Sequence, residues 1–364
     1  MSSTQLQVTS IATVSKLDLD TLSSGFIEEI KRFLKNSSKS LLYHDPDYLK
    51  LIQTHLCCEA GYLVVFENNN IEGLLPYAEK SGSLGKVYNS FAYYGSNGGV
   101  LCGENDFTTR KQLIEAFYQL LQSDGSLSAT IITNPLDSQQ QSYFELINTD
   151  FMDERIGQLT PLPALYESDE SLMSMFDAPR PRNIRKALKC GVTIEKRQDK
   201  KAIEFLYETH FQNITAIGGQ AKSRAFFDLI PDTVPNEKWG IYIACIEQKP
   251  VAALLIFFHD NCAEYFTPCV LSDFRNSQAL SLAIFEAMKD AIELKIRYWN
   301  WGGTWLSQDG VYDFKKRWGT QDFNYFYHTK IANKALLKAD KRSLLAEYQG
   351  FFTLPFSALT SEVS

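Results

Sequence analysis

Tyr298-Trp299-Asn300-Trp301-Gly302-Gly303, followed by Gly310-Val311-Tyr312-Asp313-Phe314-Lys315-Lys316-Arg317-Trp318-Gly319, is the stretch on which the reading of this chain turns. An aromatic strand that stops at two glycines lets backbone approach another group closely, because no Cβ intrudes. A lysine placed just after an aromatic residue can be held by packing and aimed at a ligand. Together they read as the floor of a pocket for something anionic or electron-rich. The residues also allow a plainer reading: Trp299 and Trp301 as core, Gly302-Gly303 as a strand end, Lys315 as one more surface cation beside Lys316 and Arg317.

Working outward, the helix before this strand is the best-specified element of the chain. Ser277 is the expected cap, Ala279 to Ala291 supplies good helix formers, and its nearly continuous apolar surface predicts burial. Before it run Ile241 to Ile246, the turn Glu247-Gln248-Lys249-Pro250, Val251 to Phe258 and a third strand Cys262 to Cys269, preceded by a helix from Lys201 to Phe211. The same order occurs earlier. A helix from Pro46 to Leu56 leads to Tyr62–Phe66, the turn Glu67-Asn68-Asn69-Asn70, Ile71–Tyr77 and a strand from Val87 to Tyr94. A helix from Thr109 to Gln122, a strand Ala129–Thr133 and a helix from Ser138 to Ile147 follow. Strand–turn–strand pairs predict antiparallel hairpins, and the repeated plan predicts two tandem α/β (α+β) domains, each a mixed, mostly antiparallel sheet flanked by helices. The expected boundaries are 1–165, 166–332 and a tail 333–364, with a polar connector from Thr160 to Glu170 and a packing helix from Lys334 to Tyr348.

Just after the connector, Pro179-Arg180-Pro181-Arg182-Asn183-Ile184-Arg185-Lys186-Ala187-Leu188-Lys189-Cys190-Gly191 carries proline near its start and glycine past its end, as short helices do. Arg182, Arg185, Lys186 and Lys189 recur at i, i+3, i+4 and i+7 and share a face; Ile184, Ala187 and Leu188 take the other. Arg180 to Lys201 holds nine basic and two acidic residues. A phosphate-bearing ligand (nucleotide-sugar, coenzyme A or a tRNA end) would relieve the repulsion; so would solvent or carboxylates of the other domain.

Composition narrows the classes. With 364 residues, 36 basic against 43 acidic side chains and a net charge of −7, the chain is long enough for two domains and poorly suited to non-specific DNA binding. No apolar run approaches the ~20 residues of a membrane span, and Met1 to Leu17 lacks a secretory signal, so a cytoplasmic location is expected. Seven cysteines without a CxxC and five histidines without ligand spacing indicate neither disulfides nor a metal site. G-x-S-x-G, Walker and G-x-G-x-x-G motifs are missing.

Three pieces, in this order, resemble the Fem family of peptidoglycan bridge-forming aminoacyltransferases and their relatives in polysaccharide biosynthesis. They are Arg182–Ala187 with Gly191-Val192; Tyr298–Gly303 with the buried helix before it; and Gly310-Val311-Tyr312 with Phe314-Lys315 and Trp318-Gly319. Tyr94-Gly95-Ser96-Asn97-Gly98-Gly99-Val100 is a looser match. The resemblance covers roughly residues 40 to 330. It implies two GNAT-like domains and N-acyl transfer without a covalent enzyme intermediate, onto an acceptor bound in or between the domains. By resemblance Lys315 stabilises charge on the acyl donor, and Arg224, before Phe226-Phe227, contacts acceptor phosphates where the family usually has tyrosine. The long helical hairpin of some members and the Gln/Arg-x-x-Gly-x-Gly/Ala loop of coenzyme A-binding GNAT enzymes are both absent.

Amide formation needs a neutral amine, an activated acyl group and stabilisation of the oxyanion. Lys315 and the amides around Gly302-Gly303 are the expected stabilisers, with Asp313 and Tyr312 as alternative proton acceptors. Arg182, Arg185, Lys186, Arg224, Tyr265 and Asn300 complete the expected substrate-binding set. The expected function is transfer of an acyl or aminoacyl group to an amine of a nucleotide-linked or lipid-linked glycan precursor, from acyl-coenzyme A or aminoacyl-tRNA. The alternatives are a tRNA-dependent peptidoglycan ligase and a non-catalytic glycan- or nucleotide-binding module.

Overall fold

Two short turns fix the register of the whole molecule. Asn68 and Asn69 (φ 51° and 65°) close one hairpin, and Glu247 and Gln248 (φ 49° and 63°) close another. Paired positive φ values are the backbone that matches the twist of flanking strands, so the corresponding turns of the two halves adopt one conformation. The computed structural model describes residues 13–93, 97–305, 307–355 and 358; Tyr94-Gly95-Ser96 of the glycine-rich match lies outside them.

The first half runs β1 (Thr13–Asp18), α1 (Ser24–Asn36), α2 (Pro46–Leu56), β2 (Glu59–Glu67), β3 (Asn70–Gly82), β4 (Gly85–Asn89), β5 (Leu101–Cys102), α3 (Phe107–Gln119), β6 (Ser126–Ile132), α4 (Gln141–Leu146) and β7 (Phe151–Pro161). After α5 (Asp169–Met173) and α6 (Arg180–Lys189), the second half repeats the plan. It comprises β8 (Thr193–Arg197), α7 (Lys200–Thr215), α8 (Arg224–Thr233), β9 (Trp239–Ile246), β10 (Lys249–His259), β11 (Cys262–Val270), α9 (Ala279–Glu293), β12 (Tyr298–Thr304), α10 (Asp309–Lys316) and β13 (Gln321–Ile331). A short α11 (Lys341–Glu347) belongs to the tail.

The two sheets are one. Strand order is β1-β2-β3-β4-β6-β13-β7-β12-β11-β10-β9-β8, with β5 on β3. The order is symmetric about β13/β7: each half lends its last strand to the other. β7 pairs with β12, β13 pairs with β6, and β7 and β13 pair with each other from Gln321↔Leu159 to Thr329↔Phe151. A tandem GNAT-like fold thus spans a single, mostly antiparallel sheet with one parallel pair in each half, β4/β6 and β11/β12.

Helices cover both faces. On the inner face α1, α2, α7 and α8 share one core that draws on both halves, from Tyr48 and Ile52 to Phe226 and Phe257. On the outer face α9 packs between the second half's strands and α6, burying Leu282, Phe285 and Met288 with Ile184, Ala187 and Trp299. The outer face of the first half is covered by α3. Among the described residues no helix is long and apolar enough to cross a membrane.

Several boundaries differ from expectation. Ser277 does not cap α9; the cap position is Gln278 at φ 62°, and the Ser277 hydroxyl accepts from the Ala279 amide (3.3 Å). The connector's first residues, Thr160 and Pro161, are strand, because their backbone pairs with Trp299 and Tyr298. The third strand of the first half stops at Asn89, and the tail helix breaks into a 3₁₀ turn at Lys334–Lys338 followed by α11. Leu188, placed on the apolar side of α6 by its spacing, is exposed.

Candidate active site

The site begins with two β-bulges facing one another. β11 and β12 pair in parallel over three residues only, Cys262↔Tyr298 to Glu264↔Asn300. Both then continue, β11 to Val270 and β12 to Thr304. On the far side of β11 the ladder passes from Ile256↔Tyr265 to Leu255↔Thr267, leaving Phe266 as an extra residue. On the far side of β12 it passes from Asn300↔Leu159 to Gly303↔Gly157, again with one residue too many. An extra residue bends its strand. Two at one level open a seam in the middle of the sheet.

Glycine is needed at this seam for two different reasons. Gly302 has φ 71°, a conformation L side chains rarely adopt, and a Cβ there would meet nothing within 4 Å, so it borders open space. Gly303 is a matter of room: a Cβ would lie 1.9 Å from the Tyr325 hydroxyl. The backbone of β12 is therefore bare where the seam opens.

Lys315, on the last turn of α10, reaches this backbone. Its Nζ donates to the carbonyls of Gly302 (3.3 Å) and Gly303 (3.0 Å) and to the Thr304 hydroxyl (2.9 Å). The residue is 7% exposed, and burial lowers its amine from 10.5 to about 8, a differential of roughly 3 kcal/mol against the charged form. Thr304 in turn donates to Gln158 (3.0 Å), and Trp318 and Trp301 anchor α10 through Thr160 (2.9 Å each). All three donors of the ammonium are thereby engaged, which fixes a positive charge beside the bare backbone of β12.

At the closed end of the seam lies Glu264, 2% exposed. Asn300 Nδ2 donates to it (3.0 Å), and so does the Tyr43 hydroxyl of the first half (3.4 Å). Burial pushes its carboxyl up to about 8 despite these bonds. Asn300 also accepts from the Gly302 amide (2.9 Å), so carboxyl, carboxamide and bulge form one chain. Glu264 did not emerge from the sequence. The available signal was an acidic residue amid the apolar run Cys262-Ala263-Glu264-Tyr265-Phe266, at a register that faces the core.

The outer mouth of the seam is cationic. Arg180, at the start of α6, is buried, with its guanidinium 4.2 Å over the Phe314 ring and 5.3 Å over Trp318, one nitrogen donating to the Phe314 carbonyl (3.0 Å). Its Nε is buried with no partner among the described residues, and burial with nearby Arg317 holds its pKa below the usual value. Arg180, Arg275, Gln278 and Phe314 line a cavity of about 140 Å³ at the N-terminus of α9. Where a glycine loop would stand, the chain has a 3₁₀ turn from Ser272 to Ser277 and Gln278 in the left-handed region. Tyr265 lies 4.8 Å from Trp301, and its hydroxyl, pushed up by burial, feels the charge of Arg180.

The remaining expected residues lie elsewhere. Asp313 is exposed and the Tyr312 hydroxyl is bonded to Asp322 (2.6 Å); neither makes a bond to Lys315, so this arrangement lends no support to a proton-acceptor role. Arg182, Arg185 and Lys186 are exposed on α6, with Arg185 paired to Glu170. Arg224 is paired with Asp228 (3.1 Å). A hydrolase-like chain does exist: Ser40 Oγ lies 2.8 Å from His259 Nε2, and His259 Nδ1 lies 3.2 Å from Asp45. Ser40 is fully buried, however, and Asp45 also caps α2 and binds Lys238 (2.7 Å), so the chain ties the two halves together. Among the described residues no cluster can hold a metal ion.

Residues 181–316 match the family model of an acetyltransferase (GNAT) domain. None of the curated proteins matches the sequence. Among solved structures the fold is similar to that of FemX, with a TM-score of 0.69, 14% identity and coverage of 86% of this chain and 97% of that one. A conserved protein of Bacteroides thetaiotaomicron whose function is not known gives 0.59, 11%, 88% and 100%. A tandem GNAT protein from the clavulanic acid biosynthesis pathway gives 0.50, 9%, 88% and 99%. At these identities the likeness is one of fold.

Proposed function

We propose that this Fem-like GNAT acyltransferase forms an amide on the amino group of a phosphorylated glycan precursor, nucleotide-linked or lipid-linked, in the cytoplasm. The observation that carries this reading is the seam between β11 and β12, which has Lys315 at its lip, Glu264 at its closed end and buried Arg180 at its outer mouth. Donor phosphates belong with Arg180, Arg275 and the N-terminus of α9, where positive charge and backbone amides converge. The acyl carbonyl then lies over bare β12 backbone, its oxygen toward Lys315. The acceptor enters from the inner face, where Glu264 and Tyr43 stand.

In the reaction the amine nitrogen attacks the carbonyl carbon and a C–N bond forms. Lys315 stabilises the resulting oxyanion, and the amine's proton passes to the Glu264 carboxylate. The carbonyl reforms as the bond to the donor's sulfur or oxygen breaks, and the departing group is protonated. Both groups titrate near 8, from opposite directions. Rate rises with pH as Glu264 loses its proton and falls as Lys315 loses its own, which predicts a narrow bell.

Aminoacyl-tRNA as the donor, in peptidoglycan ligation or a related reaction, is favoured by two observations. The coenzyme A loop is replaced by the turn ending at Gln278, and the exposed Arg182/Arg185/Lys186 ridge continues outward from Arg180 on the same helix. A mass-spectrometric screen of amino-sugar nucleotides and lipid-linked precursors, with acyl-coenzyme A and with charged tRNA, tests the reading. An amide product sensitive to ribonuclease identifies the tRNA donor; an insensitive one identifies coenzyme A. No product with any pair overturns the assignment.

A further inference from the structure

The internal symmetry of the fold gives the chain a second seam, and its contents differ. In the first half the parallel pair is β4/β6, ending at Asn89↔Thr130, where the second half has Glu264↔Asn300. Here the strands do not part. The Ser90 amide donates to Thr130 (2.9 Å), and the Ser90 hydroxyl accepts from Ile132 (2.9 Å). Across the end lies the tail. Asn89 donates to the Phe352 carbonyl (2.9 Å) and accepts from its amide (2.8 Å), the Tyr93 amide donates to Gly350 (2.6 Å), and Ser128 donates to Thr353 (3.2 Å).

Between this tail and the sheet lies a cavity of about 190 Å³. Its walls are rings, among them Phe91, Tyr93, Tyr327 and Phe352; carboxamides, including the exposed Gln220 and Gln349, join the tyrosine side chains in its polar lining, and among the described residues no charged side chain lines it. The rings are already ordered by one another: Tyr327 lies 4.7 Å from Phe352, and Tyr93 is stacked 4.9 Å from Phe226. Whole ligands fill pockets of roughly 300–1,000 Å³, so this volume suits a single ring. Flat aromatic walls favour a planar guest, amides at the edge favour one with hydrogen-bonding atoms on its rim, and the lack of charge disfavours phosphate or carboxylate.

Packed rings link the walls of the cavity to the open seam. Phe91 lies 5.6 Å from Tyr43, which donates to Glu264. Tyr327 lies 5.9 Å from Tyr325, whose hydroxyl packs on Gly303. Two ring steps along the inner face lead from cavity to seam by either route. The geometry points to a binding site for an uncharged heterocyclic ring at the closed seam, a nucleobase-like group at the end of the acceptor remote from its amine. In naming the ring as the acceptor's, this inference rests on the acyl-transfer reading; the existence of the site does not.

Fluorine NMR of the full chain tests it, with 5-fluorouridine as the pyrimidine probe and 2-fluoroadenosine as the purine probe. One of the two signals should broaden and shift with the wild-type protein, which also identifies the class of ring. Gln349→Trp, at an exposed position, should block the cavity and abolish the effect while the fold is retained. Tyr327→Leu, which keeps apolar bulk but removes the flat face, should weaken binding by about tenfold. Neither probe binding, or binding undiminished in Gln349→Trp, overturns the site. Binding without any amide product would defeat acyl transfer and leave the site standing. An amide product whose acceptor KM is unchanged in Gln349→Trp would defeat the ring assignment and leave acyl transfer standing.

Discussion

The two parallel seams of the sheet occupy equivalent places, yet one is open and the other is sealed. At β11/β12 two bulged residues, Phe266 and Gly302, bend the strands apart, and the groups left inside, Lys315 and Glu264, are held away from their ordinary pKa values by burial. At β4/β6 Ser90 bridges the strands and the tail is bonded across Asn89. The same topology yields an opening where backbone hydrogen bonds are missing and a wall where they are supplied. Burial of ionisable groups follows from the opening: a carboxyl and an amine can be poised near 8 only where neither water nor a saturating ion pair reaches them.

The largest expected effect breaks the open seam. Lys315→Ala removes the positive group beside the carbonyl oxygen and should lower kcat about 10³-fold with little change in either KM, the pattern of an interaction made mainly in the transition state. Unchanged turnover would leave Lys315 a packing residue. Its stability effect has a definite sign: with the folded value near 8 and the unfolded value at 10.5, the unfolded chain binds more protons between them, so wild-type stability rises across that window. The variant should lack that rise in pH-dependent urea melts.

Next comes the sealed seam. Asn89→Ala deletes the two hydrogen bonds to Phe352, taking the partner from both its amide and its carbonyl, and should destabilise the protein by about 2–3 kcal/mol in urea. The donor side should be untouched, so hydrolysis of the acyl donor in the absence of acceptor should proceed at the wild-type rate. A loss there equal to that in amide formation would mean that the two seams are not separate.

Arg180→Met sharpens the contrast between buried and surface cations. It should raise the donor KM by about 10- to 100-fold, the cost of one charge-assisted contact. The exposed ridge should matter less. Arg182→Ser with Lys186→Ser should leave stability within about 0.5 kcal/mol and change the donor KM, in a salt-dependent way, only when tRNA carries the acyl group. An equal effect with acyl-coenzyme A would remove the case for a tRNA-facing ridge.

Much of this was legible in the residues. The duplicated plan showed in the two turns at equal places, because hairpin turns and strand alternation are local. Lys315 and Gly302-Gly303 were legible through their pattern and the family resemblance. The strand exchange was not: whether β7 pairs with β6 or β12 is decided by tertiary contacts that leave no periodicity. Glu264 escaped for a related reason, since its role depends on the bulge at Phe266 and on Asn300 and Tyr43, none near it in the chain. Asp313 and Tyr312 were chosen by nearness in sequence to Lys315; the fold leaves Asp313 exposed and gives the Tyr312 hydroxyl to Asp322. The spacing of the ridge singled out the solvent face of α6, and Arg180, two residues before Arg182, turns inward and left no such pattern.

The most direct test of the open seam as the reaction site is the pH dependence of kcat, in wild type and in Glu264→Gln, with one donor–acceptor pair. The wild-type profile should be a bell centred near pH 8, and the substitution should lower the rate by about 10²-fold or more and abolish the acid limb while leaving the alkaline one. An acid limb that persists unchanged in Glu264→Gln would contradict the account.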